Sequence, residues 1–241
     1  MATKTDNSSA FNSVVVLVVI SLVAAAALVY LQAGGGNSSA AQAAALSQAL
    51  PSQAASAIAG DDGAFDKLDR SVKTLTSLPM SGVPGRSADW QQLQSSAAEI
   101  LGNRANIEAV QKARDSIVVY AGAILEKSNE LLDRSGSTAI IQDFQLRADR
   151  VGQAAASLPG GSAATVDDMA ADIAFLREVS NALAGEQSDL DVRPLNNEGR
   201  EVALIPIVGS LASIEENATT LAQSLSQVGD LAAMQAELAA S

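Results

Sequence analysis

Two pairs of adjacent carboxylates, Asp61-Asp62 and Glu215-Glu216, are places where a cation or a proton could be handled in this 241-residue chain. Neither fits the chemistry well. A calcium loop needs oxygen ligands at alternating positions over about twelve residues, whereas Gly60-Asp61-Asp62-Gly63 is a short turn whose acids suit the capping of a following helix. Adjacent helical residues diverge by about 100°, so Glu215 and Glu216 cannot work on one substrate atom and read as a solvated face. The chain has no His and no Cys, which removes the familiar catalytic triads and dyads, thiolate chemistry and Cys-type metal sites. It carries no phosphate-binding glycine loop and no dinucleotide fingerprint. No catalytic residue, metal ligand or cofactor is expected.

Three further side chains stand out because they interrupt apolar patterns. Trp90 is the one Trp of the sequence and reads as a core residue near the end of a helical bundle. Arg114 and Ser128 fall in a seam that is otherwise apolar. A polar residue at such a position costs stability but can fix the register and number of partner helices; a long Arg can also bring its charge out to the bundle edge.

These residues need helices to position them. Ile107, Val110, Arg114, Ile117, Ala121, Ile124, Ser128 and Leu131 recur three and four apart, the seam of a helix of about 30 residues that must lie along partners to be stable. Phe65, Leu68, Val72, Leu75 and Leu78 form a shorter face, and Ser87 can cap a helix carrying Trp90, Leu93, Ala97 and Ile100 or Leu101. Ile141, Phe144, Ala148, Val151, Ala155 and Leu158 mark another helix. Thr165 and Asp168 resemble a capping box before the stripe Val166, Met169, Ile173, Leu176, Val179 and Leu183, with Gly185 placed to close it. A final helical pattern begins near Arg200 and carries Leu211, Ile214, Ala218, Leu221 and Leu225. Pro51 and Pro206 fall inside helical patterns, as local kinks or as hinges. Aromatics are 3% of the chain, so any core is built from Leu, Ile, Val and Ala, and no strand-like alternation is present.

The stretch Leu46–Phe65 is echoed by Leu146–Thr165, with identities at 46/146, 53/153, 54/154, 55/155, 60/160 and 64/164. The surrounding apolar faces repeat the same order, which predicts a duplicated helical unit. Either two stacked four-helix-type bundles or one elongated bundle with shared helices satisfies it.

Val14 to Leu31 is a run of eighteen residues without a charge. Extended to residues 11–33, it is long enough to span a bilayer. Lys4 precedes it and no charge follows until Asp61, which leaves the N-terminus in the cytoplasm and the rest outside. A cleaved signal peptide is the alternative, but the apolar run is long for one and "LQA" is a poor cleavage site. The formal charge of −12 argues against nucleic-acid binding, which needs clustered Lys and Arg.

Several ordered stretches, "LSQALPSQAASAIAGDDGAFDKL", "DWQQLQSSAAEIL", "VYAGAILEKSNELLDRSG" and "LRADRVGQAAASLPGGSAATVDDMAADIAFLREVSNALAGEQ", resemble the sensor part of the PilJ-type chemoreceptors, the methyl-accepting transducers of type IV pili. The resemblance covers most of residues 11–225. It implies an all-α chain: a cytoplasmic N-terminus at 1–10, a transmembrane helix at 11–33, a first helical sensor module at 37–135 and a second at 136–241. It implies a single-pass protein of the bacterial inner membrane with its bulk in the periplasm. Such a protein would act as a homodimer that binds a protein partner such as pilin and passes the signal to twitching motility and chemotaxis, without catalysis. If a ligand site exists, Ser47, Gln48, Trp90 and Arg114 are the residues expected at it.

The family tends to have Arg after Leu-Ser-Gln, where this chain has Ala49, so no anion site carries over there. No second span and no cytoplasmic signalling hairpin follows the second module, which fits either the sensing part of a longer receptor or a stand-alone anchored sensor. The loops 79–86 and 186–198 are the expected contact regions, being polar and turn-rich. An anchored helical spacer of the envelope, without a ligand, is the alternative function.

Overall fold

The structure is a computed structural model that describes residues 38–77, 87–135, 137–158 and 163–228. All regular structure among them is helical. In chain order the helices are α1 (Ser38–Ala59), α2 (Ala64–Ser77), α3 (Ser87–Gly102), α4 (Arg104–Ser135), α5 (Thr138–Ala156), α6 (Ala163–Ala184) and α7 (Ile205–Val228). A single helical turn at Asn197–Gly199 and a wide π-type turn at Arg200–Leu204 lead into α7. The all-α expectation holds. No helix among the described residues is long and apolar enough to cross a membrane, and the apolar run at 11–33 lies outside them.

The chain divides into two compact units between Arg104 and Ala105. The first contains α1, α2 and α3. Its core is Leu50, Ala54, Ala57, Phe65, Leu68, Leu75, Ala97 and Ile100, all buried. The turn from α1 to α2 closes as the glycines suggested: Gly60 has φ +95°, its amide donates to the Ala57 and Ser56 carbonyls, and the Asp61 amide reaches back to Ser56 at 3.0 Å. That double closure satisfies carbonyls which the end of a helix leaves open. The α3 helix stops at Gly102, where the Asn103 side chain donates to the Glu99 carbonyl at 3.1 Å. The next residue, Arg104, turns to α2: Nη1 lies 3.0 Å from Asp66 Oδ1, and its guanidinium carbon sits 5.2 Å from the centre of the Phe65 ring.

In the second unit α4, α5, α6 and α7 contribute to one apolar core. Ile117, Ala121, Ile124 and Leu131 come from α4 and Ile141, Phe144, Ala148, Val151 and Ala155 from α5. Met169, Ile173, Leu176, Val179 and Leu183 come from α6, and Ile207, Leu211, Ile214 and Leu221 from α7. All but Ile207, which the α7 stripe did not include, lie on the face their sequence spacing assigned, and the seam of α4 passes through Ala113 rather than Arg114. Small residues allow α4 and α5 to approach closely; a Cβ added at Gly152 would come within 3.2 Å of Ala121 Cβ.

The long helix α4 therefore shares its core with α5, α6 and α7, whereas the sequence division at 135/136 groups it with the first module. The repeat also has a different register from the one its identities suggested. Leu50, Ala54 and Ala57 of α1 are buried, as are Val151, Ala155 and Leu158; Leu68, Ser71 and Leu75 of α2 are buried, as are Met169, Asp172 and Leu176. Each of these pairs is 101 residues apart. At a separation of 100, buried Leu50, Leu68 and Ser71 would match exposed Arg150, Asp168 and Ala171. One residue of offset turns a helix face by about 100°, so burial decides for 101.

Candidate functional site

Of the residues expected at a ligand site, Ser47 and Gln48 lie on α1, Ser47 half-buried and Gln48 exposed. Trp90 falls on α3, but its side chain lies outside the described residues. Arg114 belongs to the other unit, where it flanks the seam of α4 and pairs with its neighbour: its Nε is 2.9 Å and its Nη2 2.8 Å from Asp115 Oδ1. The charge is thus met within α4. Ser128 is fully buried, and its hydroxyl donates to the Leu125 carbonyl one turn back at 2.8 Å. A seam polar group satisfied inside its own helix does not need a partner helix in a particular register.

The two carboxylate pairs behave as adjacent helix or turn residues should. Glu215 points at α6, where Arg177 donates to both its oxygens, Nε to Oε1 at 2.9 Å and Nη2 to Oε2. Glu216 is exposed. Asp61 and Asp62 are both exposed, and the Asp61 backbone carbonyl accepts the Ala64 amide at 3.1 Å at the start of α2. The expected capping box at Thr165 and Asp168 is not where the helix begins: α6 starts at Ala163 and already contains Thr165.

The sequence gives less warning of a charged cluster between α5 and α6. Asp172 lies among the buried residues of α6, its side chain 7% exposed. Arg147 Nη1 reaches it at 3.2 Å and Arg150 Nε at 2.9 Å, with Arg150 Nη2 donating as well. Arg147 also pairs with Asp143 at 3.2 Å and lies 4.0 Å from the centre of the Phe175 ring. The hydrogen bond and charge of Asp172 raise the Arg150 guanidinium above its ordinary pKa. A buried carboxylate needs such partners. The legible signal is Asp172 itself, three residues after Met169 on an apolar stripe. Its partners are 22 and 25 residues away and carry no spacing signature.

At the end of the bundle where α4 and α6 stop and α5 starts, the 186–196 segment is held by a series of specific bonds. Gly185 takes φ +92°, and the Gly185 and Glu186 amides close α6 on the Ala182 and Asn181 carbonyls at 3.0 Å each. Ser137, just before α5, donates its hydroxyl to the Asp191 carbonyl at 2.7 Å. Leu195 is buried, and its amide donates to the Leu183 carbonyl at 2.9 Å. Arg200 Nε then holds the Leu195 carbonyl at 3.0 Å, while Asn196 Oδ1 accepts the Gly199 amide at 2.8 Å. Leu190 and Val192 pack partly buried against the core. What remains outside is polar and mostly acidic: Glu186, Gln187, Asp189, Asp191 and Arg193 are exposed. Long surface connections of fixed shape are where recognition groups are commonly carried. The other expected contact loop, 79–86, lies outside the described residues.

Comparison with known protein families finds no family that matches the chain, and comparison with curated protein sequences finds no match.

Proposed function

We propose that this chain is the extracytoplasmic sensor part of a type IV pilus chemoreceptor of the PilJ kind, which binds a protein partner such as pilin and signals across the membrane without catalysis. In this reading residues 11–33 anchor it in the bacterial inner membrane as a single span, its bulk is periplasmic, and it works as a homodimer. The observation that carries the reading is the pinned 186–196 segment: a polar surface held in one shape by bonds to Ser137 at the start of α5, to the end of α6 and to Arg200 ahead of α7 can report contact to several helices at once. The four seams behind it supply rods able to carry a displacement along the bundle.

The test is binding of the full chain, in phosphatidylcholine nanodiscs, to purified pilin from the same organism. Saturable binding that weakens when Glu186, Asp189, Asp191 and Arg193 are replaced together by Ala supports the sensor. A folded chain that binds no pilin overturns it and favours the anchored spacer.

A further inference from the structure

The outward side of the last helix, together with the wide turn that leads into it, has a pattern that the bundle does not use. Val202, Ile205, Gly209 and Ala212 follow one another at steps of three and four and are all exposed, Val202 by 41% and Ile205 by 62%. Ile205 is the second most exposed large apolar side chain among the described residues, after Val119. On the same line, Glu201 stands at one end and Glu216 at the other, both exposed. Neither carboxylate makes an ion pair or side-chain hydrogen bond among the described residues; Arg177 is taken by Glu215, which lies off this line. The two acids are fifteen residues apart, about 22 Å along the axis. Between them, Gly209 opens the surface: a Cβ added there would touch nothing within 4 Å. With no side chain at Gly209, a partner backbone could approach closely at this point of the line.

We infer that this line is a docking face for a helix of another protein, one with an apolar ridge and a Lys or Arg at each end of it. Charge selects that occupant from the alternatives. A second copy of this helix laid antiparallel would set Glu201 against Glu216 of its partner, and a parallel copy would set each acid against itself. Like charges so placed repel. An anionic lipid surface is repelled by the same two carboxylates. Basic residues about fifteen positions apart on a partner helix meet both acids while the ridge covers Val202, Ile205 and Ala212 and passes over Gly209. The face does not involve the 186–196 contacts, so it stands or falls separately from the pilin reading.

The probes are two synthetic eighteen-residue helical peptides with the same Leu/Ala ridge, one with Lys at both ends of the ridge and one with Glu. Each is titrated by fluorescence anisotropy into the full chain in phosphatidylcholine nanodiscs. The Lys-ended peptide is expected to bind at least tenfold more tightly than the Glu-ended one. Ile205→Glu makes the chain more acidic, so general attraction of a basic peptide would strengthen, whereas docking on this face weakens about tenfold. The double reversal Glu201→Lys with Glu216→Lys is expected to invert the preference toward the Glu-ended peptide. Both variants change exposed positions, and circular dichroism checks that they fold. Equal or tighter binding to Ile205→Glu, an unchanged preference in the double reversal, or no binding by the unaltered chain each overturns the inference.

Discussion

Arg150 reaches across from α5 to Asp172 of α6, Nε to Oδ2 at 2.9 Å, and the carboxylate that receives it is 7% exposed. With Arg147 also donating to this carboxylate, at Oδ1, the pair of arginines restricts where along α5 the helix α6 can lie. Asp172→Ala is expected to lower stability by about 1–3 kcal/mol, the scale of lost charge-assisted hydrogen bonds, because the freed arginines can turn to water. Arg150→Ala should have a smaller effect, since Arg147 still holds the acid. Urea unfolding of both variants and of the double variant measures the coupling. Equal effects of the two single substitutions would contradict this ordering.

The α5 seam makes a sharper prediction. Phe144 is fully buried in the second unit's core, while Leu146, two residues on, is 56% exposed. Phe144→Ala should cost about 3–5 kcal/mol through lost burial and a cavity. Leu146→Ala should change stability by less than about 0.5 kcal/mol. Thermal melts of the two variants separate the outcomes, and a large loss at Leu146 would mean that it has a covering partner.

Two glycines should respond in opposite directions. Gly185 has φ +92° and its added Cβ would meet Arg200 Nη2 at 3.2 Å, so Gly185→Ala is expected to cost about 1–2 kcal/mol. Gly122 lies inside α4 with nothing within 4 Å of an added Cβ, and Gly122→Ala should gain about 0.5–1 kcal/mol. Denaturation midpoints compare them directly.

The pins on the 186–196 segment can be loosened without touching the core. Ser137→Ala removes the hold on the Asp191 carbonyl, and Arg200→Ala removes the hold on the Leu195 carbonyl. Each is expected to speed hydrogen exchange of amides in 186–196 several-fold while exchange in the middle of α5 and α6 is unchanged. Exchange that rises equally throughout the bundle would show that these bonds support the whole fold.

The faces of α5, α6 and α7 were legible in the sequence because burial in a bundle is governed by the same three-and-four spacing that the eye can follow. Gly60 and Gly185 were legible because a left-handed turn at a helix end has few other occupants. The alignment of the two halves was not, since shared Ala and Gln identities favour a separation of 100, whereas equivalent buried positions such as Leu68 and Met169 lie 101 apart. Arg114 and Ala113 compete for one seam position, and periodicity alone cannot choose between neighbours; the cost of burying a guanidinium does. Ser47 and Gln48 came from the resemblance, and the bonds that shape the 186–196 segment came from no spacing rule at all. Those bonds join residues such as Ser137 and Asp191, 54 apart in sequence, which only the folded chain brings together.

The wide turn at Arg200–Leu204, where the Ile205 amide donates five residues back to Arg200, reconciles two phases that are set independently. The pins at Asp191, Leu195 and Asn196 dictate the angle at which the chain arrives. The seam of Ile207, Leu211, Ile214 and Leu221 dictates the angle at which it must depart. One surplus residue in the turn absorbs the mismatch, next to Pro206, which has no amide hydrogen to demand ordinary pairing. Shortening the chain by a single residue there would leave each end intact yet roughly a quarter-turn out of step with the other, making this turn the molecule's phase adjuster rather than its flaw.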